Sequence, residues 1–470
     1  MVQLILIAAF IAIRIADQGG GFMPTPLVKL TAFEALLAIS VSLALLAFIF
    51  AVITTVAGRR LDRRGDVRAY HTVRNSHGAL RLVGAGAFIA VTTLCAAPML
   101  IRAALPQPPV FLPGLADILL FAPLITYILA LWALAYPVEA RLSEAALFRS
   151  LHEGEAVFHI PSRFRYVLDH FRHQVLLIAL PILLMSIWND SLGWLKFRNP
   201  SYSTYIDTAG WLGIIPVMLL SPALIRVSWH TSLLTTGPCA AYAAELFRTH
   251  KVKISGPYVW HTGGSMINAV VLGIIFPLRY ILLTDRLLEE LEETHLRAVL
   301  GHEVAHVKHK HLLWILLAVV ASVLAAGWAT SIAAYLMAID IQSGTPSIAV
   351  ACFYPLVAFV TFTYISRRFE QQADTFAAAD ISRRCGSQSI IPLAAASICG
   401  ALDRVCALSG TPRTAPSWRH GSIATRCENI ARIVGHPLAS LPIDRTVRLL
   451  KVTIAITLAA SIGLFFLWPA

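Results

Sequence analysis

The chain has 470 residues, of which 57% are hydrophobic and 14% charged, with a mean hydropathy of +0.70. Soluble globular proteins carry about 25% charged residues, so this composition excludes an ordinary soluble fold and points to a membrane protein. The net charge of +12 is read as loop charge at a bilayer rather than as a nucleic-acid footprint, because basic residues collect in the cytoplasmic loops of membrane proteins. Seven cysteines, an odd number with no C-x-x-C pair, argue against a disulfide framework or a cysteine metal site and suit a reducing compartment.

A bilayer core about 30 Å thick needs roughly 20 apolar residues of helix. Stretches of about that length run over 33–57, 80–104, 110–137, 208–228, 312–338, 348–366 and 450–468, with shorter ones at 2–16 and 173–188. The 2–16 stretch lacks a basic start and an A-x-A cleavage site, and is read as a retained span rather than a signal peptide. Gly84-Ala-Gly86 lies inside a predicted span with no strand before it, which makes it a helix-packing site rather than a nucleotide loop. Arg14 and Asp117 fall in or near spans and are expected at span edges, with their charges snorkelling to the interface. Arginines crowd the 58–79 and 138–172 loops, whereas 105–109 and 339–347 contain neither Lys nor Arg. Nine spans with an internal N-terminus place every Arg-rich loop on the cytosolic side, together with 229–311 and 367–449.

Segment 229–311 differs in composition. It carries Gly237-Pro238, Gly256-Pro257 and Gly263-Gly264, then the apolar run Met266–Phe276 and the run Arg279–Thr284. Asn268, Gly273 and Pro277 interrupt that stretch, which predicts two strands rather than a spanning helix.

The chemistry begins at His302-Glu303-Val304-Ala305-His306, where Leu296, Val299, Leu300, Val304 and Val307 recur at helical spacing. Residues four apart share a helix face, so the two imidazoles can bind one zinc ion. Glu303 is rotated by about a hundred degrees from that face. It is poorly placed as a third ligand but well placed to take a proton from water activated at the metal. With 16 His and 13 Glu in the chain, random placement yields roughly 0.015 such motifs, so coincidence explains it poorly. A third ligand is needed. The metzincin pattern requires Gly three and His six residues past the second histidine, and here those positions are His309 and Leu312. A downstream Glu is the other option, and only Glu370 and Glu428 follow the motif. Glu370 emerges from the span ending near 366, with Asp374 four residues on and on the same face, where it can orient His302 from behind. Alone, that pair would read as a solvated helix end. His309 and His311, with Lys308 and Lys310, read as a basic collar at the bilayer interface, and His261 and His295 as solvated or structural.

Three blocks resemble the M48 family of membrane metallopeptidases, which includes HtpX-like proteases and CAAX prenyl proteases. They are Asn268-Ala269 with Tyr280–Glu290, Leu296–His306, and Ser366–Asp374. The resemblance covers about 229–435. It implies a gluzincin-type site with His302, His306 and Glu370 on one Zn2+ per chain, Asp374 behind them, Glu303 as catalytic base, and Asn268 and Ala269 along the substrate. It further implies that His420 and Arg426 steady the oxyanion, although Gly421 stands where related chains often have Pro. The resulting expectation is a mainly α, polytopic membrane protein of about 8–9 transmembrane helices, with a cytosol-facing zinc peptidase domain containing a small β-sheet. Residues 1–228 form an N-terminal multi-span region, 229–449 a catalytic region with a membrane hairpin at about 312–366, and 450–470 a C-terminal transmembrane helix. The expected activity is endoproteolysis of membrane or membrane-proximal proteins at the cytosolic face of a bacterial inner membrane. Its partners are protein or peptide substrates and the lipid bilayer, with no nucleic acid. The alternative is a sensor whose peptidase-like domain serves one dedicated target.

Overall fold

The computed structural model describes residues 2–17, 30–65, 67–105, 113–153, 158–339 and 344–467. The expected loops at 105–109 and 339–347, and the side chain of Arg14, lie wholly or partly outside those residues. The chain divides into two compact units, Met1–Trp229 and His230–Ala470. Seven described helices are long and apolar enough to cross a membrane.

Among the described residues the regular elements of the first unit are helices: α1 (Val2–Asp17), α2 (Ala32–Arg64), α3 (Val67–Leu94), α4 (Ala97–Ala104), α5 (Leu115–Glu153), α6 (Arg163–His170), α7 (Leu176–Arg198), α8 (Ser203–Leu212) and α9 (Ile214–Ser228). Thr31 and Glu34 form a capping box at the start of α2, and Gly65 ends it in the left-handed region at φ 59°. Phe50 of α2, Phe88 of α3, and Leu124 and Trp132 of α5 fill the core. At Gly84 a Cβ would fall 2.2 Å from the Tyr127 ring, so only glycine lets α3 and α5 approach this closely. Two expectations are corrected here. The 208–228 stretch is not one helix but breaks at Gly213, where a Cβ would meet the Trp188 ring at 2.2 Å. Asp117 does not snorkel: it is buried, 3.1 Å from Arg102 Nη2, and accepts a hydrogen bond from Ser186 Oγ at 2.5 Å. A buried charge needs such partners.

The second unit contains β1 (Thr231–Leu233), α10 (Pro238–Thr249), β2 (Tyr258–Trp260), β3 (Ala269–Leu272), β4 (Tyr280–Thr284), α11 (Asp285–Glu290), α12 (Glu293–Lys308), α13 (His311–Met337), α14 (Gly344–Arg384), α15 (Pro392–Ser409), α16 (Ile423–Arg432) and α17 (Pro442–Leu467). The sheet order is β1-β2-β4-β3, with β2 and β4 parallel and the other pairs antiparallel. Strand β4 is buried throughout, as its uninterrupted apolar run requires, and β3 lies at the edge.

Helix α12 is lodged by two of its faces. Leu296, Leu300 and Val304 pack with Ile281 and Leu283 of the sheet and Leu246 of α10. Ala298 packs against Ala377 and Ala378 of α14 and Ile398 of α15. Although α15 is apolar enough to be a span by composition, its apolar face is taken up by this core and Arg404 pairs with Glu290 at 2.9 Å. We therefore read it as a core helix. Helix α14 runs 41 residues without a break, so its apolar first part delivers Glu370 and Asp374 just past the end of the expected span. Ile365 and Phe369 of α14 join Ala318 of α13 and Ile443 and Val447 of α17 in a further core.

Candidate metal centre and active site

The third face of α12 points into a cavity of about 290 Å³, bordered by His302, Glu303, His306 and Glu370 and by the edge strand at Asn268 and Ala269. His302 Nε2 and His306 Nε2 lie 3.1 Å apart. Glu370 Oε2 is 3.5 Å from the first, and its Oε1 3.6 Å from the second. A tetrahedral zinc with bonds of about 2.0–2.1 Å would hold its donors about 3.3 Å apart, so this donor set fits the ion in spacing as well as in type. Glu370 is 3% exposed and its Oε2 has no hydrogen-bond partner, an orphaned buried acceptor of the kind a cation satisfies.

The groups behind the donors are equally defined. Asp374 Oδ1 lies 2.8 Å from His302 Nδ1, and Arg426 closes on the same carboxylate with Nε to Oδ2 at 2.8 Å and Nη2 to Oδ1 at 2.6 Å. Burial opposes the charge on Asp374, but Arg426 and then His302 hold its carboxyl down to about 2. Burial also works against charge on His302, where Asp374 and Glu370 outweigh it and raise its pKa. At His306 burial dominates and pushes the imidazole down. Glu303 is 8% exposed, and burial pushes its carboxyl up.

His420 brings Nδ1 to 2.9 Å from Glu370 Oε2 without hydrogen-bond geometry. It lines both this cavity and a second one of about 620 Å³, which also meets Glu370, Tyr364 and Arg426. The Arg426 guanidinium is thus spent on Asp374, while Arg419, which no motif singled out, borders the first cavity.

Asn268 and Ala269 sit on the open side of the sheet. Thr284 N donates to Asn268 O at 3.0 Å, and Ala269 N donates to the Asn268 side chain at 3.0 Å. The reading of His311 as an interfacial anchor is corrected. It is 1% exposed and stacked on Phe369, with Nδ1 2.9 Å from His306 Nδ1.

A bundle of apolar helices carrying two histidines and a glutamate on one ion-sized centre, with a second carboxylate, that of Glu303, in the same cavity, defines a membrane metallopeptidase. Residues 242–431 match the family described as Peptidase family M48, and the chain carries a peptidase domain of that family. Among solved structures the chain is similar to that titled "Crystal Structure of S. mikatae Ste24p", with 15% identity, a TM-score of 0.42, and coverage of 84% of this chain and 98% of that one. No curated protein matches the chain.

Proposed function

We propose that this protein is a zinc-dependent integral-membrane endopeptidase that hydrolyses membrane or membrane-proximal protein segments at the cytosolic face. The observation that carries the proposal is the convergence of His302, His306 and Glu370 donor atoms within 4.8 Å of one another, in a cavity that also holds Glu303. His302, His306 and Glu370 would hold the zinc. When bound, zinc supplies a Lewis acid that acidifies water and polarises the scissile carbonyl.

The remaining chemistry belongs to the chain. Glu303 takes the proton of the attacking water on its carboxylate and hands it to the leaving amine nitrogen. Its burial raises its affinity for that proton. Asp374, clamped by Arg426, accepts from His302 Nδ1 and so leaves Nε2 free to donate its lone pair. His420 and Arg419 border the reaction cavity and are the side chains that would face the developing oxyanion. The edge strand at Asn268 and Ala269 offers backbone groups to an extended peptide, a mode of recognition indifferent to side-chain identity. The arginine-rich loops support the cytosolic orientation.

Glu303→Gln tests this reading. It keeps all three ligands, so metal analysis of the purified variant should give the wild-type zinc content, while hydrolysis of a casein-type substrate falls by about 10²–10⁴-fold. Full activity in this variant ends the assignment of Glu303.

A further inference from the structure

The two histidines of the metal centre are backed by different partners. His302 stands against a carboxylate, but His306 stands against another imidazole. Behind that imidazole, His311 Nε2 is 2.9 Å from Gln372 Oε1, and Gln372 Nε2 donates to Asp444 Oδ1 at 2.6 Å. His311 and Gln372 are both buried, so these contacts are shielded from competing water. We propose that this chain, His306–His311–Gln372–Asp444, positions His306 for the metal, and that Asp444 in the first turn of α17 sets its direction. The proposal rests on the zinc-site reading above.

A carboxylate only accepts, so Asp444 fixes the Gln372 amide with its NH2 toward α17 and its oxygen toward His311. That oxygen must receive a proton from His311 Nε2, which leaves His311 Nδ1 as an acceptor. His311 Nδ1 can then only receive the Nδ1 proton of His306, and His306 Nε2 keeps its lone pair for the metal.

If the amide turned round, each step would reverse. His311 Nε2 would accept, its Nδ1 would donate to His306 Nδ1, and His306 Nε2 would carry a proton where the ion belongs. Nothing on α12 or α14 alone excludes that second arrangement, and the acceptor that does so is supplied by α17. Ile443 and Val447, on either side of Asp444, anchor that turn of α17 against Ala318, Ile365 and Phe369. His311, Gln372 and Asp444 are therefore positioning residues that act through His306.

The test uses the full-length protein in detergent, with zinc affinity measured by chelator competition and the ligand field read from the visible spectrum of the Co2+-loaded form. Asp444→Asn, which is isosteric but can donate, should weaken zinc binding about tenfold or more and alter the cobalt spectrum. His311→Ala should do the same. In the double variant Asp444→Asn should add nothing, because the chain is already cut. If His311→Ala does not accumulate, His311→Asn replaces it: its side-chain oxygen still accepts from His306, so zinc affinity recovers, and Asp444→Asn should again add nothing. Wild-type zinc affinity in Asp444→Asn, or losses that multiply in the double variant, overturns the proposal and leaves these contacts as packing. His306→Ala and Glu370→Ala serve as controls. If they too retain zinc, the metal-site reading itself has failed, which is a different result from failure of the chain alone.

Discussion

Asp380 shows how a single residue on the long helix α14 ties the second unit together. It is buried, with His250 Nε2 at 2.7 Å, Arg384 Nε at 2.8 Å and the Tyr242 hydroxyl at 3.4 Å. Burial works against its charge, and the hydrogen bonds from His250 and Arg384 outweigh that and lower its pKa. A carboxyl whose folded pKa lies below its unfolded value of about 3.9 stabilises fully above that value, and the stabilisation is lost as pH falls through the folded pKa. The apparent melting temperature of the wild type should therefore drop on acidification below about pH 4. Asp380→Asn should melt lower at pH 7, by the equivalent of about 1–3 kcal/mol, and show a flatter acid limb. Scanning fluorimetry across pH reads both, and equal melting of the two proteins at pH 7 would refute the role given to Asp380.

Among the elements, β3 and α12 carry the most specific expectations. In an antiparallel pair, alternate residues direct their backbone groups into the ladder and away from it. Thr284 N donates to Asn268 O, and Asn268 N donates to the Thr284 hydroxyl, so Ala269 and Val271 turn their N–H and C=O groups outward from β4. Proline at 269 removes an outward donor, one that the Asn268 side chain occupies and would have to release to a substrate, and leaves the ladder bonds intact. Ala269→Pro should accumulate in the membrane and bind zinc normally, but raise KM about tenfold or abolish turnover, a rough scale for one lost backbone hydrogen bond. Loss of the protein from the membrane would mean that the strand is structural. On α12, a Cβ at Gly301 would lie 3.3 Å from Ala377 Cβ, so glycine there lets the helix bearing both histidines close onto the helix bearing Glu370.

For the molecule as a whole, the bilayer is the constraint. Helix α13 and the early part of α14 carry exposed apolar side chains such as Leu324, Leu336 and Phe359, the kind of surface lipid covers. On the proposed reading these two form a membrane hairpin, with His302 before it and Glu370 after it, which requires the segments on either side to emerge on the same face of the membrane. Single cysteines at Ser255 and Ser409, in a background with the seven native cysteines replaced, should react with an impermeant maleimide from one side only, and from the same side. Labelling from opposite sides would remove the basis of the active-site proposal.

Much of this was legible in the chain itself. Apolar runs mark membrane helices because a bilayer demands about 20 such residues. The H-E-x-x-H spacing brings two imidazoles to one face because a helix repeats every 3.6 residues, and Asn268, Gly273 and Pro277 mark strands because they interrupt a helix. The partners of His306 were not legible, for a geometric reason. On a continuous helix His306 and His311 would be about 140° apart and could not meet. They meet because the helical path is interrupted between Lys308 and His311, with Lys310 in the left-handed region at φ 55°. Gln372 and Asp444 lie 61 and 133 residues from His311 in sequence, and only the packing of α13, α14 and α17 brings all three together. Local periodicity thus named the two candidate histidine ligands, and the short supply of downstream glutamates with the family resemblance named Glu370, while the chain of side chains behind His306, and the pairing of Arg426 with Asp374, came from contacts that only the tertiary fold creates.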